Sequence, residues 1–465
     1  MSDEGPPAQT RGMSTQVDIR RPSAAPQSPP EEPPRLGLPG ATALVVGSIV
    51  GVGIFNLPTS LAGYGPITLV SLGLTTIGAL ALAVMFASLS RRMPADGGPY
   101  AYARAAFGDR LGFANAWSYW ITAWAGNAAI AVGWVLYVQV FINTGGVKLW
   151  SILLVLAGLW FAAFVNLSGV RNTGAFQVAT TILKFAALAF VSIVGLFYID
   201  SANFTPWNVS GGSAISAIGG GMSIALFSYL GVEAAAVVAA RVREPDRNVP
   251  RATILGTLAT AVVYVLSLIA VFGILPTETL AETSAPFSTA VDAMFGGTVW
   301  GKVMAVVVIV SGIGALNGWT LVTAEMPLAA ARDGLFPKRF GALSRRGVPA
   351  FGIVASTALA SIAVIINYLG ADGETVFTTL VLMTGITAAI PYGFSALAQI
   401  KWGVAEGARL TRDIAVAVLA LVFSVLFIVY SRNTGHGFWI YWAPFFLTAG
   451  AFLLGVPVYR AQRRR

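Results

Sequence analysis

Twelve apolar runs of about twenty residues each divide this chain, and no other feature constrains its fold as much. They lie at roughly 38–63, 67–90, 112–142, 149–167, 176–199, 214–240, 252–275, 299–330, 349–369, 375–400, 413–431 and 438–459. About twenty apolar residues of helix cross a bilayer core about 30 Å thick. The third and eighth runs are long enough to tilt or to extend beyond it. In hydrocarbon each backbone N–H and C=O needs an internal partner, so such runs are expected to be helices. With 56% hydrophobic and only 11% charged residues, the 465-residue chain is too apolar for a soluble globular protein. The expected fold class is an all-α polytopic membrane protein with twelve transmembrane helices.

The basic residues test that count. With the amino terminus placed inside, 25 of the 29 Lys and Arg fall in inside segments, while Lys148, Lys302 and Arg432 fall outside. Lys184 lies within the fifth run. Cytoplasmic loops collect Lys and Arg, so both termini are expected in the cytoplasm of a multi-pass inner-membrane protein. The same distribution accounts for a net charge of +9 without a nucleic-acid partner. Trp150, Trp300, Trp439 and Trp442 sit near run ends, where interfacial anchors belong. Residues 1–36 are rich in Pro, Ser, Glu and Arg and read as a disordered cytoplasmic tail. No apolar core of signal-peptide type precedes Leu36, so no cleaved leader is expected.

Composition also narrows the chemistry. The chain has no Cys and a single His, His436, in a short polar loop. Thiolate metal sites, Cys nucleophiles and His-based metal clusters or triads are therefore unavailable. No nucleophile–base pair, metal set or nucleotide loop is evident, so neither an enzyme nor a cofactor is expected. A sensor would add a sizeable soluble domain, and none is present in the sequence.

Two of the runs are interrupted. Gly51-Val52-Gly53 lies in the middle of the first, within Gly47–Pro58. The sixth carries Gly219-Gly220-Gly221, then Ser228, Gly231 and the carboxylate of Glu233. Glycine disfavours a helix interior by about 1 kcal/mol relative to Ala. One reading is close helix packing through small residues. The other is a pair of deliberately broken helices, because interrupted spans at corresponding places in two halves mark transporter sites. Amides freed at Gly51, Val52 and Gly53 would suit a carboxylate. Carbonyls freed around Phe227, Ser228 and Leu230 would suit an ammonium. A site offering both fits an amino acid or a related amine.

These residues resemble the amino acid–polyamine–organocation transporter superfamily. The first-run Gly-x-Gly-Ile-Phe, the sixth-run Gly-Val-Glu, the loop Glu244-Pro245-Asp246-Arg247-Asn248-Val249-Pro250-Arg251 and the segment Ala331-Arg332-Asp333-Gly334-Leu335-Phe336-Pro337 carry the resemblance, which runs from about Leu36 to the end. It implies a five-plus-five inverted repeat with broken helices one and six. The first repeat would span 37–200 and the second 201–402. Residues 403–465 would hold helices eleven and twelve and a short basic tail.

A closer likeness is to bacterial arginine–agmatine antiporters and their basic amino acid and polyamine relatives. Tyr100-Ala101-Tyr102-Ala103-Arg104, Tyr119 through Asn127, Trp207-Asn208-Val209-Ser210-Gly211 and Asn317-Gly318-Trp319-Thr320-Leu321 carry it. The resemblance implies that Thr122 and Ala123 offer carbonyls to a guanidinium, that Asn127 offers its side chain, that Trp319 stacks on the cation and that Thr384 supplies a hydroxyl. Tyr119 and Tyr392 match gating tyrosines. Glu233 reads as a proton- or substrate-sensing acid, since intramembrane acids are functional by default; the other reading is a buried neutral Glu bonded to nearby backbone. Thr384 could equally bond back to its own helix, and Asn127 could join helices.

Three positions depart from the antiporters. Val52 stands where they carry a Ser that helps hold the carboxylate, and Phe227 replaces a Trp that covers the substrate. Lys184 replaces an apolar residue. It resembles proton-coupled, sodium-independent members in which this ammonium takes the place of a structural sodium; snorkelling to the interface is the competing reading. The expected activity is exchange of a basic amino acid for its amine or another amino acid by alternating access. Sodium-independent or proton-coupled uptake of neutral amino acids is the alternative. Expected partners are a small amino acid or amine, the lipid bilayer and, as a possible assembly, a second copy of the chain in a homodimer.

Overall fold

The computed structural model describes residue 2 and residues 36–93, 97–169, 173–237, 239, 242–407, 412–433 and 437–463. The expected tail, apart from residues 2 and 36, and His436 lie outside the described residues. Residues 36–465 form one compact unit. In chain order the helices are α1 (Leu38–Ile49), α2 (Gly53–Ala62), α3 (Thr68–Arg92), α4 (Pro99–Phe107), α5 (Asp109–Val138), α6 (Lys148–Leu167) and α7 (Thr173–Val194). There follow α8 (Ala214–Ala225), the short turn α9 (Ala234–Val237), α10 (Pro245–Ile274), α11 (Thr277–Glu282), α12 (Pro286–Phe295) and α13 (Val299–Arg332). The last four are α14 (Ala350–Gly370), α15 (Gly373–Ala405), α16 (Arg412–Tyr430) and α17 (Phe438–Arg463).

With α1 and α2 taken as one interrupted segment, eleven segments among the described residues are long and apolar enough to cross a membrane. Twelve runs become eleven such segments because the sixth run, 214–240, is not one helix. It is α8, a 3-10 turn over Leu226–Tyr229, an extended residue at Leu230 and the short α9. The first run breaks as well. Val50 is extended at φ −73° and ψ 92°, and helix resumes only at Gly53. The seventh run starts earlier than its apolar part, at Pro245, whose fixed φ suits a first helical position.

Buried side chains support backbone that the first break leaves open. Tyr264 donates its hydroxyl to the Ile49 carbonyl at 3.0 Å, and Tyr137 donates to the Phe55 carbonyl at 2.7 Å. Asn56 donates to the carbonyls of Val52 and Gly133, each at 3.2 Å. The bond to Ile49 gives the carbonyl at the end of α1 a partner, where hydrocarbon offers none.

The two most buried long spans, α5 and α15, form the centre of the bundle. Ser118 of α5 donates to the Thr387 carbonyl of α15 at 2.7 Å, and Trp120 donates to Ser356 of α14 at 2.8 Å. At one end of the bundle Arg104 bridges Asp333 at 2.9 Å and Asp109 at 2.8 Å, and Tyr100 donates to Asp333 at 2.8 Å. Burial, with Asp333 alongside, holds the Tyr100 hydroxyl above its ordinary value.

Candidate functional site

The two breaks meet. Gly231, at φ +102°, lies against the Ser48 backbone, so close that a Cβ would stand 2.8 Å from the Ser48 carbonyl carbon. A cavity opens beside this contact. It is lined by Ser48, Ile49, Gly51, Gly53 and Ile54 of the first span, Phe227, Ser228 and Leu230 of the sixth, Thr122, Gly126 and Ile130 of α5, and Trp319 of α13.

Backbone donors and acceptors without a partner lie in its lining and beside it. Among the described residues, the N–H groups of Gly51, Val52 and Gly53 have no acceptor. Among the described residues the Ser228 and Leu230 carbonyls accept no hydrogen bond, whereas the Phe227 carbonyl accepts from Leu230 N–H at 3.2 Å. The Ser228 hydroxyl is buried and unpartnered. Buried polar groups are nearly always paired, so this collection of donors and acceptors marks a place where a polar ligand can supply the partners.

Of the substrate-contact residues expected from sequence, Gly51, Gly53, Thr122, Phe227, Ser228, Leu230 and Trp319 line the cavity, while Val52, Ala123, Asn127 and Thr384 do not. Val52 turns its side chain toward α13, where its Cγ2 lies 3.0 Å from where a Cβ of Gly312 would stand. Ala123 is fully buried. Asn127 donates to the Thr320 hydroxyl at 3.0 Å and keeps a buried, unpartnered Oδ1. Thr384 donates back to the Leu380 carbonyl of its own helix at 2.7 Å. The Thr122 hydroxyl lies within hydrogen-bond distance of both the Ser118 carbonyl and the Thr387 hydroxyl, each at 3.0 Å.

Sequence reasoning did not single out Ser48, Ile49, Ile54, Gly126 or Ile130. A signal for two of them was present: Thr122, Gly126 and Ile130 recur every four residues, on one face of α5.

The enclosed space is about 20 Å³, room for about one water and too little for an amino acid. Phe227 occupies part of the space beside it. Its ring packs on Gly53, where a Cβ would stand 2.6 Å from both Cδ1 and Cε1. The ring also meets Phe377 edge-on at 6.2 Å between centroids.

The acid and the lysine occupy separate surroundings. Glu233 is 1% exposed and accepts from Tyr119 at 2.8 Å on one oxygen and from Tyr392 at 2.7 Å on the other. It joins the sixth span to α5 and α15, rather than bonding only to neighbouring backbone. Lys184 of α7 is fully buried and donates to the Gly47 carbonyl of α1 at 3.3 Å. It therefore spans from α7 to α1 instead of reaching for the interface.

Known proteins share this chain's sequence over most of its length. The family model described as amino acid permease matches residues 36–452. The chain is 32% identical to the putrescine transporter PotE of Haemophilus influenzae over 369 residues, 78% of this chain and 83% of that protein. It is 30% identical to the arginine/ornithine antiporter of Pseudomonas aeruginosa over 421 residues, 85% of this chain and 86% of that one. It is 29% identical to the cadaverine/lysine antiporter of Escherichia coli strain K12, over 84% and 88% of the two chains.

Proposed function

This chain belongs to the amino acid permease family, and from that premise we propose that it is a secondary transporter that exchanges a basic amino acid for its amine or for another amino acid. One observation carries the reading. Gly51 and Gly53 of the first break and Ser228 and Leu230 of the sixth, whose amides and carbonyls respectively have no partner among the described residues, line a single cavity with Trp319. The names of the similar proteins, which exchange or transport arginine, ornithine, lysine, cadaverine and putrescine, point the same way.

In this reading the amides of Gly51, Val52 and Gly53 hold the carboxylate at the positive end of α2. The Ser228 and Leu230 carbonyls take the α-ammonium. The cationic side chain lies on Trp319, with the carbonyls of Thr122 and Ala123, the Asn127 Oδ1 and the Thr384 hydroxyl as polar contacts. Phe227 swings off Gly53 to admit the substrate. Tyr119, Glu233 and Tyr392 act together as a gate, and the Lys184 ammonium at the Gly47 carbonyl replaces a structural cation.

The same reading extends to architecture. The helices form twelve spans with two inverted repeats, 37–200 and 201–402, followed by 403–465. The protein sits in the inner membrane with residues 1–36 and the carboxyl end in the cytoplasm, in support of which most Lys and Arg fall on one side. A homodimer in the bilayer is the proposed assembly.

Purified protein in liposomes loaded with unlabelled arginine should take up labelled arginine, ornithine or agmatine. Absence of stimulation by any internal basic amino acid or diamine would overturn the exchange reading. Net alanine uptake driven by an imposed pH gradient, with nothing inside, would favour a neutral permease.

A further inference from the structure

A second cavity, of about 370 Å³, lies between α5, α6 and α13. Trp134 of α5 lines it. Ala157, Gly158 and Phe161 of α6 and Ile313 and Leu316 of α13 are among its walls. None of these six side chains carries a free polar group. The one polar atom among them, Trp134 Nε1, already donates to the Ile309 carbonyl at 3.0 Å. Gly158 helps to leave the space open, since a Cβ there would stand 3.0 Å from Trp134 Cζ3.

The position of the cavity decides what fills it. Phe161 in its lining is 56% exposed, and on the same two helices Phe164 and Val306 are 71% and 49% exposed. Both α6 and α13 are long and apolar enough to cross the membrane. Exposed apolar residues on such helices face hydrocarbon. The cavity is thus continuous with the lipid-facing surface, and it offers nothing to an ammonium or a carboxylate.

We propose that this cavity is a binding site for one acyl chain of a membrane phospholipid, seated on the Trp134 indole. The seat reaches the first break through a short row of contacts. On α13, a Cβ at Gly312 would stand 2.6 Å from Trp134 Cδ1 and 3.0 Å from Val52 Cγ2. A chain that fixes the indole therefore bears on the packing of Val52, beside the open amides of Gly51 and Gly53. The inference stands on this cavity alone and does not depend on which solute is exchanged.

The test is contact quenching. The protein is reconstituted in phosphatidylcholine vesicles with unsaturated chains, and in vesicles of the same lipid brominated at mid-chain. Bromine quenches indole emission on contact, so the wild type should lose emission that Trp134→Phe does not lose. Ala157 is an exposed rim residue. Ala157→Phe keeps the reporter and closes the seat, so its quenching should fall to the level of Trp134→Phe. Equal quenching in wild type and Trp134→Phe would overturn the site. So would undiminished quenching in Ala157→Phe. The readout involves no transport, so its failure is separable from failure of the exchange reading.

Discussion

Gly231 and Ser48 are in backbone contact, and through them the interruptions of the first and sixth spans touch. A Cβ at 231 would stand 2.8–2.9 Å from the Ser48 carbonyl carbon, Cβ and carbonyl oxygen, and Gly231 has φ +102°. Both features exclude an L side chain. Gly231→Ala should therefore destabilise the protein by about 2–6 kcal/mol, adding backbone strain of about 1–3 to overpacking of about 1–3. A thermal melt in detergent within a degree or two of wild type would refute the contact.

Gly51 and Gly53 offer a matched pair. A Cβ at 51 would find only the Gly53 nitrogen, at 4.0 Å, whereas one at 53 would stand 2.6 Å from two ring atoms of Phe227. Gly53→Ala should push the ring aside and cut exchange at least about tenfold, the scale of a 1.4 kcal/mol effect. Gly51→Ala should be much milder. Equal losses in an exchange assay would show that the Phe227 contact is not what matters.

For Trp319, the expected signature is selectivity. A cation on its ring gains about 0.5–2 kcal/mol, depending on how dry the site is. Trp319→Leu should weaken binding of arginine and diamines by about 2- to 30-fold relative to alanine. Binding isotherms that shift equally for charged and neutral ligands would remove the stacking role.

Glu233 is held from two sides, by Tyr119 and Tyr392. Tyr119→Phe or Tyr392→Phe each strips one oxygen of its partner, and a buried unpaired polar atom costs about 1–3 kcal/mol. The double variant should be less than additive in a thermal-stability cycle, because the two hydroxyls share one carboxyl group. Strict additivity would mean that they act independently.

High pH probes the opposite end of the broken first span. Burial, with Tyr441 near it, pushes the Tyr64 hydroxyl up from 10.0 to about 12, against a lowering by Arg432. A raised value in the fold means that the folded protein holds this proton more tightly than the unfolded chain. Its stabilising contribution, at most about 2–3 kcal/mol, is complete below pH 10 and is lost as pH rises through about 12. Tyr64→Phe should show a shallower loss of stability over that window; an identical profile would exclude Tyr64 as the source.

Much of this molecule was legible in its sequence. The apolar runs found the spans because hydrocarbon admits few backbone solutions. The glycines of runs one and six found both breaks. Other assignments depended on rotation of a side chain about its helix, which a motif does not report. Val52 sits in the glycine motif yet points to Gly312. Thr384 bonds its own helix, while Gly126 and Ile130, which carry no chemical label, line the cavity. The Val52 amide has no acceptor among the described residues, and its side chain lies against Gly312 rather than in the cavity lining.

Sequence by itself determined that the chain spans a membrane, where most of its long helices lie and which two runs carry interruptions, because these follow from local hydrophobicity and backbone freedom; the short α4, α11 and α12 lie outside every run. Only the tertiary structure decided that the two breaks share one cavity, that Glu233 is clasped by tyrosines from two other helices and that Phe227 fills the space beside Gly53. Each is a contact between residues far apart in the chain. Such contacts are fixed by how whole helices pack, and no local pattern encodes that distance.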